Sequence, residues 1–314
     1  MKTFLLGLFV VALGAALVAP AFASEQWDPY LHGTSIGLAA GALPPPGLYF
    51  IHSSYFAPSL HSSGGLFGAP NGTENRNFKL FVYVDIPVLM WVPGWKFLGA
   101  DYAMAIAQPI NYTNLRIQEG TSKQYLTGAV WGNFNTVLVP YELSWKLPCD
   151  LYIKTGLSVN LNDATNNPAT ADTLGPGVFA TAGNGYYWVS PTLGLSWLHD
   201  GWNISVFSNY AFPFEDSGTG YHSGQQLAID YTVTKTFGKW TFGVGASEET
   251  QITTDSVHGT NIPDSKANLW SIGPVVGYNF GPCSLMFTYG FPVYTNNDLA
   301  GEWFNVRFVV PLGM

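Results

Sequence analysis

Apolar and polar residues alternate along most of the chain. Residues 227–234 are an example, because the odd positions are apolar and the even positions are small or polar. Successive side chains of a β-strand point to opposite faces, so this pattern predicts strands with one apolar and one polar face. We predict twelve such strands, near residues 47–57, 77–91, 96–108, 130–146, 151–161, 186–197, 202–213, 225–236, 240–250, 268–279, 283–294 and 302–312.

The predicted connections alternate between short and long. The short ones contain turn-forming residues and lie at 93–94, 148–150, 199–201, 238–239 and 281–282. The long, polar ones lie near 58–76, 109–129, 162–185, 214–224, 251–267 and 295–301. Several loops of roughly 20 residues are rare in a compact soluble domain, whereas transmembrane barrels have short turns at one end and long loops at the other.

The predicted fold class is therefore all-β. We expect a transmembrane antiparallel up-and-down β-barrel of about 12 strands over residues 46–314. Because an even number of strands returns the chain to its starting side and the first loop is long, both barrel termini are predicted to be periplasmic.

Tryptophan positions give an independent indication. Ten of the eleven tryptophans lie near predicted strand ends, where a barrel places its two girdles of aromatic residues. A soluble β-sandwich places more of its tryptophans in mid-strand. Trp91, Trp95, Trp188 and Trp303 nevertheless have the parity of the predicted lumen face, so they either line the rim from inside or mark an error in register.

Composition narrows the class of protein further. Charged residues make up 10% of the chain, against roughly 25% in an average soluble domain. Aromatic residues make up 16%, which argues against disorder, and the net charge of −8 argues against nucleic acid as a partner. A barrel explains the low charge, because the face of each strand that meets lipid excludes charged side chains.

The first residues have the pattern of a secretory signal. Lys2 precedes an uncharged run over residues 4–18, and the small-x-small site Ala21-Phe22-Ala23 follows. We predict a cleaved signal peptide over residues 1–23. The alternative is an uncleaved membrane anchor, but the uncharged run is shorter than the roughly 20 residues that an anchor needs. Export and insertion then require the periplasmic export and barrel-insertion machinery as partners, with outer-membrane lipid as the final surroundings.

Residues 24–45 precede the first predicted strand and are rich in glycine and alanine. They are either a plug inside the lumen, with a short helix near 36–43, or a periplasmic tail. Cys149 and Cys283 lie in the second and fifth short turns, on nearly opposite sides of a twelve-stranded barrel. A disulfide needs Cα atoms within about 7 Å, so we predict two free cysteines.

Several short motifs resemble a known family. The run 41–50 (GALPPPGLYF) resembles the opening motif of an outer-membrane barrel family labelled after the MetA pathway of phenol degradation, which includes the SphA-like outer-membrane proteins. Gly220 differs from the family pattern, which has an acidic residue there. The resemblance implies uptake of hydrophobic or aromatic small molecules. The other matching pieces are residues 97–100 before Pro109, Trp188 with Pro191, residues 219–224, Lys239-Trp240 with Gly243, Gln251 and Asp255.

The few charges within strands fall mostly on the predicted lumen face. A charge on the lipid face is costly, so an inward direction is expected from cost alone. These side chains either line a pore and select solutes, or form ion pairs that merely fill a narrow barrel. The predicted pore-lining residues are Asp85, Asp101, Glu142, Lys154, Asp230 and Arg307, with His52 and Lys146 nearby in the pattern.

Other chemistry has little support in the sequence. The adjacent pairs His61-Ser62 and His222-Ser223 lie in predicted loops without a scaffold for an oxyanion site, so we predict no catalytic residues and no enzyme. The six histidines lack metal-ligand spacing, so no metal or cofactor is expected. The function predicted is a passive channel for small, hydrophobic or aromatic molecules. The alternatives are a structural or adhesive barrel with a closed lumen and, third, a lipid hydrolase.

Overall fold

The computed structural model describes residues 27–63, 74–118, 125–165, 167 and 181–313. The predicted signal peptide, residues 1–23, lies outside these residues. In the part of the chain that the structure describes, no helix is long and apolar enough to cross a membrane.

The described residues form nineteen β-strands. In chain order they are β1 (Gly47–Ser63), β2 (Glu74–Val92), β3 (Lys96–Phe97), β4 (Ala100–Ala107), β5 (Ile110–Gln118), β6 (Tyr125–Asn133), β7 (Val137–Lys146), β8 (Leu151–Asn160), β9 (Trp188–His199), β10 (Trp202–Pro213), β11 (Tyr221–His222), β12 (Gln226–Phe237), β13 (Trp240–Gln251), β14 (Ser256–Val257), β15 (Thr260–Asn261), β16 (Asn268–Asn279), β17 (Ser284–Asn296), β18 (Leu299–Ala300) and β19 (Trp303–Gly313).

These strands form one closed antiparallel barrel. The first strand, β1, pairs with β2 on one side and with the last strand, β19, on the other. The segments β4 and β5 together make one wall strand, broken before Pro109, whose ring nitrogen has no hydrogen to donate, and the short β3 pairs antiparallel with β4 as a hairpin beside it. Likewise β6 and β7 make one wall strand, broken at residues 134–136. Counted in this way the wall has twelve strands, so the predicted barrel is confirmed.

The outer face of the wall is apolar and much of the inner face is polar. Large apolar side chains such as Leu195, Val244 and Phe287 are exposed on the outside. Ser158, Ser247 and other small polar side chains are buried inside. This inversion of a soluble protein is what lipid around the barrel requires.

Residues 27–46, which we call the luminal segment, run through the interior of the barrel. Consecutive turns form there in place of the helix predicted near 36–43, for example with the Ile36 N–H donating to the Gly33 carbonyl. Ile36 is 1% exposed and packs with Tyr55, Val82 and Trp303 in the core. A Cβ on Gly41 would lie 2.4 Å from the Tyr152 carbonyl oxygen, so only glycine allows this close approach to the wall.

The two ends of the barrel differ as predicted. Short turns join strands at one end, where Cys149 and Cys283 are both free, as expected. At the long-loop end, β11, β14 and β15 form a small antiparallel sheet. Gly220 precedes this sheet with a φ of +71°, and the His258 ring lies 2.1 Å from the position of a Cβ there. The positive φ and the nearby His258 ring therefore explain why residue 220 is glycine.

Asp255 connects this small sheet to the end of the wall. Its carboxylate accepts hydrogen bonds from the Tyr221 hydroxyl (2.7 Å), the Gly224 amide (2.6 Å) and the Gln251 side chain (2.7 Å). Burial nevertheless raises the pKa of the Asp255 carboxyl to about 7. The pKa of an aspartate carboxyl in the unfolded chain is about 3.9. Because the pKa of Asp255 is higher in the folded loop, its carboxyl contributes its full stabilisation of the loop when the pH is below about 3.9. This contribution is lost as pH rises through the folded value.

The loop should therefore loosen as the pH rises from about 4 to about 7, and its stability should level off above the folded pKa. We expect hydrogen exchange at the Gly224 amide, corrected for the intrinsic pH dependence of exchange, to accelerate over this range. Asp255→Asn should remove the acceleration, because an amide does not titrate. An identical pH response in the two proteins would contradict the assignment to Asp255.

Candidate functional site

The Asp230 carboxylate is the main attachment of the luminal segment to the wall. Asp230 lies on the inner face of β12 and is 2% exposed. It accepts hydrogen bonds from the Tyr30 hydroxyl (2.7 Å), the Gly33 amide (2.9 Å) and both the amide (2.9 Å) and hydroxyl (2.8 Å) of Ser35. These four hydrogen bonds satisfy both oxygens of the buried carboxylate. They are also strong, because hydrogen bonds to a charged group are stronger than those between neutral groups.

Arg307 holds the same turns from the other side. Its guanidinium, on the inner face of β19, donates to the Ile36 carbonyl (3.0 Å) and to the Thr34 carbonyl. Arg307 is 3% exposed. Asp230 thus binds donors of the luminal segment and Arg307 binds its acceptors, so the two charges fix the turns in one orientation.

Further bonds extend along the luminal segment. Near the long-loop end the Trp188 indole donates to the Pro29 carbonyl at 3.1 Å. Near the short-turn end the Gly41 amide donates to the Ser196 hydroxyl, and the Ser144 hydroxyl donates to the Gly41 carbonyl, both at 2.7 Å. The luminal segment therefore crosses the lumen from the long loops to the short turns.

A cavity of about 710 Å³ remains beside the luminal segment. Its wall is formed largely by β1, β2, β4, β7 and β8, and most of the lining side chains are apolar. The main apolar contributors from the wall are Ile51, Val84, Ile86, Val88, Met90, Val137, Val139 and Leu157, and from the luminal segment Leu31, Leu38 and Leu43.

Glu142 and Lys154 are the charged pair in this lining. Lys154 Nζ lies 2.6 Å from Glu142 Oε1, and both side chains are 12% exposed. The register of β7 shifts between Leu138 and Tyr141, and this bulge keeps Val139 and Glu142 on the same inner face. The pair carries no net charge and adds a polar position to the lining.

The predicted pore-lining residues thus occupy different positions. Glu142, Lys154 and Arg307 border the cavity, and Asp230 lies beneath the luminal segment. Asp101 lies at the short-turn rim, where it pairs with Lys96 and both side chains are well exposed. Contact of any of these residues with a solute stays a prediction.

Asp85 is on the other face of the wall. Val84 and Ile86 line the cavity, so alternation along β2 places Asp85 on the outer face, and the predicted parity of this strand is wrong. There the Asp85 carboxylate lies 2.7 Å from His52 Nε2, a partner that reduces the cost of a charge facing lipid. The same correction places Trp91 outside, 41% exposed.

Trp188 and Trp303 do point inward. Both are 1% exposed, and Trp303 stacks on Tyr55 with ring centroids 5.5 Å apart. They pack against the luminal segment, which explains why two tryptophans have the parity of the lumen.

The His–Ser pairs considered for catalysis have separate partners. His222 Nε2 lies 3.1 Å from the Pro213 carbonyl oxygen, whereas the Ser223 hydroxyl donates to the Tyr186 hydroxyl at 3.2 Å. His61 contacts the Ser59 hydroxyl at 3.2 Å.

A group of three carboxylates was missed from the sequence. Asp28, Glu249 and Asp298 come together at the long-loop end of the lumen, with one oxygen of each within 4.8 Å of the others. Asp28 precedes the predicted barrel and the other two are far away in the chain. No spacing rule connects them, so only the path of the luminal segment reveals the cluster.

Comparisons with known proteins agree with this architecture. The family described as "Putative MetA-pathway of phenol degradation" matches residues 64–308. The chain is similar in structure to the COG4313 outer membrane channel from Pseudomonas putida F1, with 14% identity, a TM-score of 0.69, and coverage of 91% of this chain and 99% of the channel. The translocator domain of the autotransporter NalP from Neisseria meningitidis follows at 10% identity and a TM-score of 0.49, with coverage of 87% and 91%. No curated protein sequence matches the chain.

Removing the charge of Asp230 should loosen the luminal segment. In Asp230→Asn the buried acceptor becomes neutral, so we expect exchange at the Gly33 and Ser35 amides to accelerate at least about tenfold, equivalent to about 1.4 kcal/mol. Asp200→Asn is the matched control, because the Asp200 side chain is 82% exposed in a short turn. Equal exchange in the two variants would show that Asp230 does not hold the luminal segment.

Proposed function

Because the chain belongs to the family described as "Putative MetA-pathway of phenol degradation", we propose that it is an outer-membrane channel for small hydrophobic or aromatic molecules. The path is the cavity between the luminal segment and the apolar part of the wall. Both barrel termini face the periplasm in this proposal, and the long loops face outward. Its partners are outer-membrane lipid, the solute, and the export and insertion machinery.

The apolar lining of the cavity is the observation that carries this proposal. Polar barrel interiors favour hydrated solutes, whereas Ile51, Val84, Val139 and their neighbours offer a solute dispersion contacts and little hydrogen bonding. The polar half of the lumen is already bonded to the luminal segment through Asp230, Arg307 and Ser196. A solute therefore meets mainly the apolar half.

The cavity also has a suitable size. Its volume of about 710 Å³ lies within the roughly 300–1,000 Å³ of small-molecule sites. The Glu142–Lys154 pair supplies a charged, polar position beside the apolar side chains of β7 and β8, which suits a molecule with an apolar ring and one hydroxyl or similar group.

A structural barrel with a closed lumen is the second candidate function. The observation in its favour is the luminal segment itself, which crosses the lumen and is bonded to the wall along its length. The two candidates differ in whether ions and solutes pass beside that segment.

Current through single barrels in a planar bilayer distinguishes the candidates. We expect the unmodified protein to conduct ions, and a small aromatic alcohol to interrupt the current when it enters the cavity. Val88→Trp places an indole in the cavity and should lower the current and the frequency of block several-fold.

Leu89→Trp is the matched control, because Leu89 is the next residue of β2 and is 43% exposed on the outer face. It should conduct and be blocked like the unmodified protein. A barrel that inserts but carries no current supports the closed structural role instead. Conduction that aromatic alcohols never interrupt contradicts the proposed substrate class.

A further inference from the structure

Three carboxylates from separate parts of the chain meet at the long-loop end of the lumen. Asp28 belongs to the luminal segment, Glu249 to the inner face of β13, and Asp298 to the connection between β17 and β18. One oxygen of each lies within 4.8 Å of the other two. Asp28 and Asp298 also border the cavity, so the cluster can be reached by small ions.

Hydrogen bonding leaves part of this carboxylate cluster unsatisfied. Asp28 accepts from the Gln226 side chain at 2.7 Å, and Asp298 accepts from the Leu299 amide at 2.6 Å. Glu249 is only 4% exposed, yet neither of its carboxylate oxygens receives a hydrogen bond from the described residues. His32 Nδ1 lies 3.3 Å from Glu249 Oε2.

Burial of three neighbouring acids is costly unless something compensates. Like charges repel strongly where water is scarce, and an unfilled buried acceptor adds its own desolvation cost. His32 faces one oxygen of Glu249 and leaves the other without a hydrogen bond from the described residues. A cation from outside the chain would fill that buried acceptor and reduce the repulsion among the three carboxylates.

We propose that Asp28, Glu249 and Asp298 form a binding site for a divalent cation of the calcium type. Calcium takes oxygen ligands at roughly 2.3–2.6 Å. Three oxygens within 4.8 Å of one another can therefore surround one ion. Calcium also tolerates irregular geometry and accepts water as further ligands, which the adjoining cavity can supply. An all-oxygen donor set favours such a hard cation over zinc.

The bound cation adds a direct connection among three parts of the protein. It links the luminal segment to the wall and to an external loop, at the opposite end from the Gly41 contacts with Ser144 and Ser196. It therefore fixes the entrance of the lumen. This role does not depend on which solute the barrel carries.

Terbium luminescence tests the site directly. Terbium replaces calcium and is excited through nearby indoles, and Trp303 lies 5.7 Å from the His32 ring beside the cluster. With the full folded barrel in detergent, we expect saturable luminescence that calcium displaces. Glu249→Gln should weaken terbium binding at least about tenfold.

Glu248→Gln is the matched control, since Glu248 is the neighbouring residue on the opposite face of β13 and contacts Tyr231. It should bind terbium like the unmodified protein. Asp298→Asn provides a second test if Glu249→Gln does not fold. No saturable binding, or equal binding by all variants, would overturn the proposal.

Exchange of residues 28–35 tests the link to the luminal segment. We expect slower hydrogen exchange there with calcium than with a chelator, and no such difference in Glu249→Gln. The same exchange rate under both conditions in a protein that binds terbium would show that the cation does not fix the entrance.

Discussion

Backbone groups within a bilayer have no water to bond, and the rest of this structure depends on that constraint. Each wall strand must be paired on both sides, which the β1–β19 pairing achieves by closing the barrel. Closure gives every strand a face toward lipid and a face toward the lumen. Apolar side chains cover the face toward lipid, so most polar side chains point into the lumen, where they need hydrogen-bond partners.

The luminal segment provides many of those partners. Asp230 and Arg307 have opposite charges, yet each binds backbone groups of residues 33–36 of the luminal segment. The polar half of the lumen is in this way bonded to the chain itself. The apolar half, along β1, β2 and β7, bounds the open cavity. The function proposed for the barrel follows from this division.

The sequence predicted the wall well because the alternation of side chains is a local property. The twelve-stranded wall, the free cysteines, the family resemblance and the short turns at 148–150, 199–201, 238–239 and 281–282 are confirmed. The long connector predicted near 109–129 is wrong, because β5 and β6 occupy most of it, and the wall strand predicted from residue 96 begins at Ala100. On β2, however, both faces are largely apolar, and Asp85 was placed inward only because a charge on the lipid face is costly. The pairing with His52 meets part of that cost locally, so the charge did not identify the lumen face. The path of the luminal segment and the Asp28–Glu249–Asp298 cluster depend on contacts between distant residues, which no periodicity encodes.

In the proposed channel, solutes occupy the apolar cavity beside a luminal segment that stays in place. A crystal structure of the protein soaked with a brominated phenol tests it most directly, because anomalous scattering locates the bromine. We predict bromine between the luminal segment and the side chains of Val84, Val88 and Val139, with the Asp230 bonds intact. Bromine found solely on the lipid-facing surface, or a luminal segment displaced from the barrel, would contradict the account.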